Sequence, residues 1–171
     1  MSQEEAKEVM RRYLTEVVAA GRLDVLDEIA AETLIDHTAV AAGWGKGRAG
    51  LERHVRFFRS CVPDPEITIE RLIASDDEVV GVWRVKGVHR GPLFGVPATG
   101  KVIEWTNASI FRVEGGKIVD YTGVWGSLEA VQRMGVPIEL PATVCATASR
   151  GASGREPDLA ASASQHLRPG A

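Results

Sequence analysis

The sequence predicts one α+β domain in which N-terminal helices cover the concave face of a curled antiparallel sheet, followed by a tail that builds no core. Three observations carry this. Apolar residues recur at helical spacing as far as about residue 60. From Ile67 the pattern changes to long strand-like runs rich in β-branched and aromatic residues. No aromatic residue occurs from 136 to 171. Helices first and strands after is an α+β layout, and at 171 residues there is chain enough for one ordinary domain plus a tail.

Ser2 and Glu5 have the spacing of a capping box, and Ala6, Val9, Met10, Tyr13, Leu14, Val17 and Val18 then mark one helix face up to about Ala20, where Gly21 stops it. Leu23, Leu26, Ile29 and Ala30 continue the period in a second short helix, and a short strand is expected around residues 33–36. Residues 38–47, rich in Ala and Gly, read as a loop. Leu51, His54, Val55 and Phe58 mark a third helix, ended by Pro63-Asp64-Pro65. Strands are expected over 67–73, 79–89, 102–113 and 117–125, with Asp76-Asp77 and Glu114-Gly115-Gly116 as tight turns. Residues 128–134 look like a last helical turn closed by Gly135 and Pro137. The domain is therefore expected over 1–137. The tail, 138–171, is mostly Ala, Ser, Gly, Thr and Pro from Ala142 on, so it is expected to be disordered because it buries too little to offset its ordering entropy.

Composition excludes several classes of function. Twenty Lys+Arg against twenty-three Asp+Glu give a formal charge of −3 without a basic block, so neither nucleic acid nor an anionic membrane is an expected partner. The acidic, polar start and the lack of a long uncharged run point to a cytoplasmic protein. Cys61 and Cys145 have neither metal-ligand nor disulfide-framework spacing and are expected to be ordinary thiols; no metal is expected.

The segment Gly87-Val88-His89-Arg90-Gly91-Pro92-Leu93-Phe94-Gly95-Val96-Pro97-Ala98-Thr99-Gly100, with Ile110-Phe111-Arg112, Gly116-Lys117-Ile118-Val119-Asp120 and Gln132-Arg133-Met134-Gly135, resembles the SnoaL-like polyketide cyclases of the nuclear transport factor 2-like superfamily. Looser matches at Asp36-His37, Gly50-Leu51 and Pro63-Asp64 carry the likeness back to the first helix. The resemblance implies a cone-shaped α+β barrel, usually a homodimer, that closes a ring in a polyketide ester by aldol chemistry without cofactor. It also implies a pocket aspartate as general acid/base and a histidine on the neighbouring strand. Matched without gaps, those positions fall at Gly123 and Ser109. A glycine moves no proton, and acid/base catalysis by a side chain is typically worth ~10²–10⁴-fold.

Strand alternation places Trp105, Asn107 and Phe111 on the face that Ser109 shares, and Tyr121 and Trp125 on the face that Gly123 shares; Asp120 falls outside. The inferred wall is aromatic with sparse polar points, as suits a hydrophobic small molecule. Tyr121, His37 and Asn107 are the candidates to polarise a substrate carbonyl. Each has a structural alternative: ring packing for Tyr121, a capped or hydrogen-bonded rim for His37, and a satisfied core pair with Ser109 for Asn107. Tyr13, Phe58, His89, Trp105, Ser109, Phe111, Gly123 and Trp125 are the candidate substrate contacts, with His89 equally readable as a brace for the following loop. Gly123 either widens the pocket or marks a bend. His54 and Arg84 are expected to be structural. The leading functional expectation is an enzyme of secondary metabolism performing ring closure, rearrangement or isomerisation without a cofactor. The alternatives are a hydrolase or dehydratase of the same fold, which Asp36 or Asp120 turned into the cavity would favour, and a non-catalytic small-molecule binder.

Overall fold

A computed structural model describes residues 2–138; from residue 139 the expected tail lies outside the described residues. Helix α1 spans Gln3–Arg12, opened by the capping box of Ser2 and Glu5. Its continuation, Tyr13–Ala19, is not α-helical but a π-helical stretch, with Ala20 N–H bonding Thr15 O. Tyr13, Leu14, Val17 and Val18 are buried along it. A 3₁₀ turn at Leu23–Val25 and α2 at Leu26–Ile29 follow.

Strand β1 is Ala30–Asp36, longer than expected at its start. The stretch read as a loop opens instead with a short helix, α3, at His37–Ala41. Its cap is Asp36, whose Oδ1 accepts from the backbone N–H of Thr38 and Ala39 at 2.9 and 3.1 Å. Helix α4, Gly47–Cys61, buries Leu51, His54, Val55 and Phe58 along one face.

The strands β2 Glu66–Ala74, β3 Glu78–Val88, β4 Val102–Glu114 and β5 Lys117–Trp125 lie within a residue or so of expectation. Gly115 and Gly116, both with positive φ, form the two-residue turn between β4 and β5. Helix α5, Ser127–Met134, ends on Gly135 at φ 90°.

The sheet order is β1-β5-β4-β3-β2. Two expectations need correcting here. The meander β2 to β5 is antiparallel, but β1 pairs parallel with β5, so the sheet is mixed. β1 reaches its neighbour from far along the chain, so no hairpin dictates its direction. With β1 and β2 as free edges the sheet is also curled but unclosed rather than a barrel. Helices α1 and α4 and the π stretch pack against it, and Met10, Leu14, Leu51, Trp105, Phe111 and Ile118 are fully buried between the layers.

Candidate functional site

The inner face of the sheet near its β4–β5 centre encloses a cavity of ≈ 20 Å³, enough for about one water molecule. Tyr13, Val18, His54, Phe58, Trp83, Asn107, Ser109, Tyr121, Gly123 and Trp125 are among its lining. Strand alternation brings the polar groups in: β4 buries every second residue from Ile103 to Val113, and Ser109 pairs directly with Gly123 of β5.

Asn107 is the most distinctive wall residue. Its Oδ1 accepts from Trp105 Nε1 at 2.9 Å and from the Gly126 backbone N–H at 3.3 Å. Its Nδ2 is buried and has no hydrogen-bond partner among the described residues. A buried amide donor left unpaired costs about 1–3 kcal/mol. Next to it, Ser109 Oγ accepts from Trp83 Nε1 at 3.1 Å and donates to Tyr121 Oη at 3.5 Å.

Burial pushes the Tyr121 phenol up to about 12, opposed by the Ser109 hydrogen bond and assisted by the nearby charge of Asp36. Burial, then Tyr121 and Asp36, push Tyr13 well above the usual phenol range. Both phenols therefore stay protonated at neutral pH and act as donors rather than bases. Their rings meet edge to face at 5.8 Å, and each also packs on Phe111.

The fourth wall comes from α4. His54 Nδ1 donates to Asp36 Oδ2 at 2.8 Å; a carboxylate is acceptor only, which assigns the proton to the imidazole. The pair is 3% and 1% exposed. The imidazole stacks between Tyr121 and Trp125, at 5.7 and 5.5 Å. His54 was expected to be structural, yet it lines the cavity. The helical period put it on the buried face of α4, but only the tertiary fold lays that face on Asp36 and the β5 aromatics.

Trp125 separates this cavity from an outer cleft of ≈ 340 Å³ lined by Thr38, Trp44, Phe57, Leu93, Phe94, Trp125 and Ser127. Phe94 meets Trp125 edge-on at 5.6 Å from a Leu93–Val96 turn in which Phe94 itself has φ 52°. A bulky residue in that region is strained, so the turn holds its ring over the cleft at some expense in stability.

The other candidates are placed elsewhere. His37 does not reach the cavity: it stands 55% exposed at the start of α3, with Nε2 3.0 Å from Asp120 on the outer face. The register keeps Asp120 outward, opposite Arg112, and the first helical turn carries the His37 side chain out to it. His89 is buried but outside the lining, its Nδ1 accepting from the Thr99 N–H at 3.3 Å beside that residue's hydroxyl. Trp105 and Phe111 are fully buried behind the wall, against Phe58 and against the two tyrosines respectively. Gly123 does not widen the pocket: a Cβ there would stand 3.1 Å from Trp125 Nε1 and 3.2 Å from Tyr121 Oη, which already fill the space. Among the described residues no cluster of three or more His, Cys, Asp or Glu is arranged to hold a metal, and no helix is long and apolar enough to cross a membrane.

Solved structures with this fold include TsrD from Streptomyces laurentii, 20% identical, covering 79% of this chain and 98% of that one with a TM-score of 0.69. A protein of Acidithiobacillus ferrooxidans is 26% identical over 78% of this chain and 97% of its own, with a TM-score of 0.65. A SnoaL-like polyketide cyclase from Agrobacterium tumefaciens is 15% identical over 80% of this chain and all of its own, at 0.66. No curated protein sequence matches. The family model of the SnoaL-like polyketide cyclases matches residues 8–133, which span every strand and the whole cavity wall, and the chain belongs to that family.

Proposed function

We propose that this chain is a cofactor-independent cyclase or isomerase for a flat, carbonyl-bearing, polyketide-like molecule. The carrying observation is the Asn107 side chain, whose Oδ1 is occupied twice while its buried Nδ2 has no partner among the described residues. Such a donor in an aromatic cavity suits a carbonyl oxygen that gains negative charge as an enolate forms. Tyr121, and Tyr13 behind it, line the same cavity and stay protonated, so each is a donor there. With Gly123 and Ser109 where the resemblance puts the family's aspartate and histidine, catalysis rests on holding one reactive conformer and polarising its carbonyl.

The inner cavity admits no multi-ring molecule at rest, so the body of the ligand lies in the outer cleft, with Trp125 displaced to let the carbonyl in. A cleft of ≈ 340 Å³ walled by Trp44, Phe57 and Phe94 is of the size and character that flat ligands fill. Offered a panel of aromatic polyketide intermediates, wild-type protein is expected to bind them and change the product ratio. Asn107→Leu is expected to lower turnover by ~10²–10³-fold, the usual effect of removing one such donor. Binding without any turnover in the wild type would instead assign a carrier.

A further inference from the structure

The buried Asp36–His54 pair takes no part in the polarisation described above, yet its imidazole borders the same cavity. Asp36 binds the imidazole through Nδ1–H, so in the neutral ring the lone pair sits on the other nitrogen, Nε2. Asp36 is itself held by the Thr38 and Ala39 amides, and the ring by stacking on Tyr121 and Trp125. A base locked in one tautomer and one orientation against a ligand cavity is the arrangement that general-base catalysis needs. Asp36 and Tyr121 are the titratable groups facing the ring; Tyr13 stands beyond Tyr121.

We propose that His54 is the proton-transferring catalytic residue of this site, with Asp36 as its positioning residue, and that the substrate is a ketone whose α-C–H is acidified by a second carbonyl or an aryl ring. This rests on the reading of Asn107 as the carbonyl donor. Nε2 takes the α-proton; the C–H electron pair moves into the enolate, whose oxygen rests on Asn107 Nδ2. In ring closure the enolate carbon attacks a second carbonyl of the same molecule, and Nε2–H returns its proton to the new alkoxide. In isomerisation the proton returns to carbon. No oxidant, reductant or external acid is consumed. An imidazole is a weak base, and this sets the substrate class: an unactivated ketone is too weak a carbon acid for it.

The test uses the full chain with 2-tetralone, a flat fused-ring ketone with aryl-activated α-protons, following α-H/D exchange in D₂O by NMR and binding by tryptophan fluorescence. Wild-type protein is expected to bind the probe and accelerate exchange. His54→Asn keeps an amide N–H for Asp36 and removes Nε2; it is expected to bind within a few-fold of wild type and lose exchange by ~10²–10⁴-fold. Asp36→Asn keeps the acceptor that caps α3 but presents an N–H to Nδ1, moving the imidazole proton to Nε2. ¹⁵N shifts of His54 are expected to report that tautomer change, with kcat for exchange falling and KM retained. If His54→Asn fails to fold, Asp36→Asn decides through these two readouts. Exchange at the wild-type rate in either variant overturns the proposal and leaves the Asn107 reading standing. No binding of 2-tetralone by wild type overturns both.

Discussion

Gly123 shows how little room the wall leaves. A methyl group there would press on Trp125 Nε1 and Tyr121 Oη at 3.1 and 3.2 Å, closer than most Cβ contacts. Gly123→Ala is expected to lower stability by ~1–3 kcal/mol, the range for overpacking, as read from a denaturant midpoint. Gly123→Asp, which places an aspartate where the resemblance puts the family's acid, is expected to be worse, because it adds an unpaired buried carboxylate to the same collision. Asp36 offers the opposite case. Asp36→Ala removes a helix cap and strands a buried imidazole donor, and is expected to cost about 3 kcal/mol, whereas Asp36→Asn keeps the cap.

At the scale of elements, two irregular segments place the site. The π-helical stretch at Tyr13–Ala19 buries Tyr13, Leu14, Val17 and Val18 and brings Tyr13 to the cavity wall. The Leu93–Val96 turn forces Phe94 to φ 52° and hangs its ring over the cleft against Trp125. Asn tolerates that backbone region far better than Phe. Phe94→Asn is accordingly expected to leave stability unchanged or raise it by up to ~1 kcal/mol, read from the melting temperature, while weakening binding of flat aromatic ligands measured by fluorescence titration. A melting temperature several degrees lower would show that Phe94 is packing rather than strained display.

Across the whole molecule, the buried phenols tie stability to alkaline pH. The Tyr121 phenol lies at about 12 in the fold and near 10 in an unfolded chain, so the native state binds this proton more tightly. Its contribution is complete below about pH 10 and is lost as pH rises through 12, up to about 2–3 kcal/mol. Tyr13 acts in the same direction. Tyr121→Phe is expected to flatten this alkaline limb in urea titrations at pH 9 to 11.5. Trp125→Ala tests the division of the interior: it is expected to join the inner cavity to the outer cleft and admit flat probes faster, at ~3 kcal/mol or less, since the indole is only half-buried.

Helices α1, α2, α4 and α5, the four meander strands and the β4–β5 turn were legible, because each is written in local periodicity and turn chemistry that burial on one face enforces. The inward parity of Asn107, Ser109, Tyr121 and Trp125 followed from the same alternation, as did the outward direction of Asp120. Asp36 before Thr38 and Ala39 was a readable cap signal, masked by the Ala- and Gly-rich composition that follows it. The direction of β1 beside β5, the meeting of Asp36 with His54, the outward turn of His37 and the filling of Gly123 by Trp125 were not legible. All four join residues distant along the chain or depend on where one ring comes to rest, and no local propensity carries that information. The sequence by itself determined a curled α+β wall of aromatics with a few polar points. Which of those points face one cavity, and which nitrogen is left free there, was decided by packing between elements.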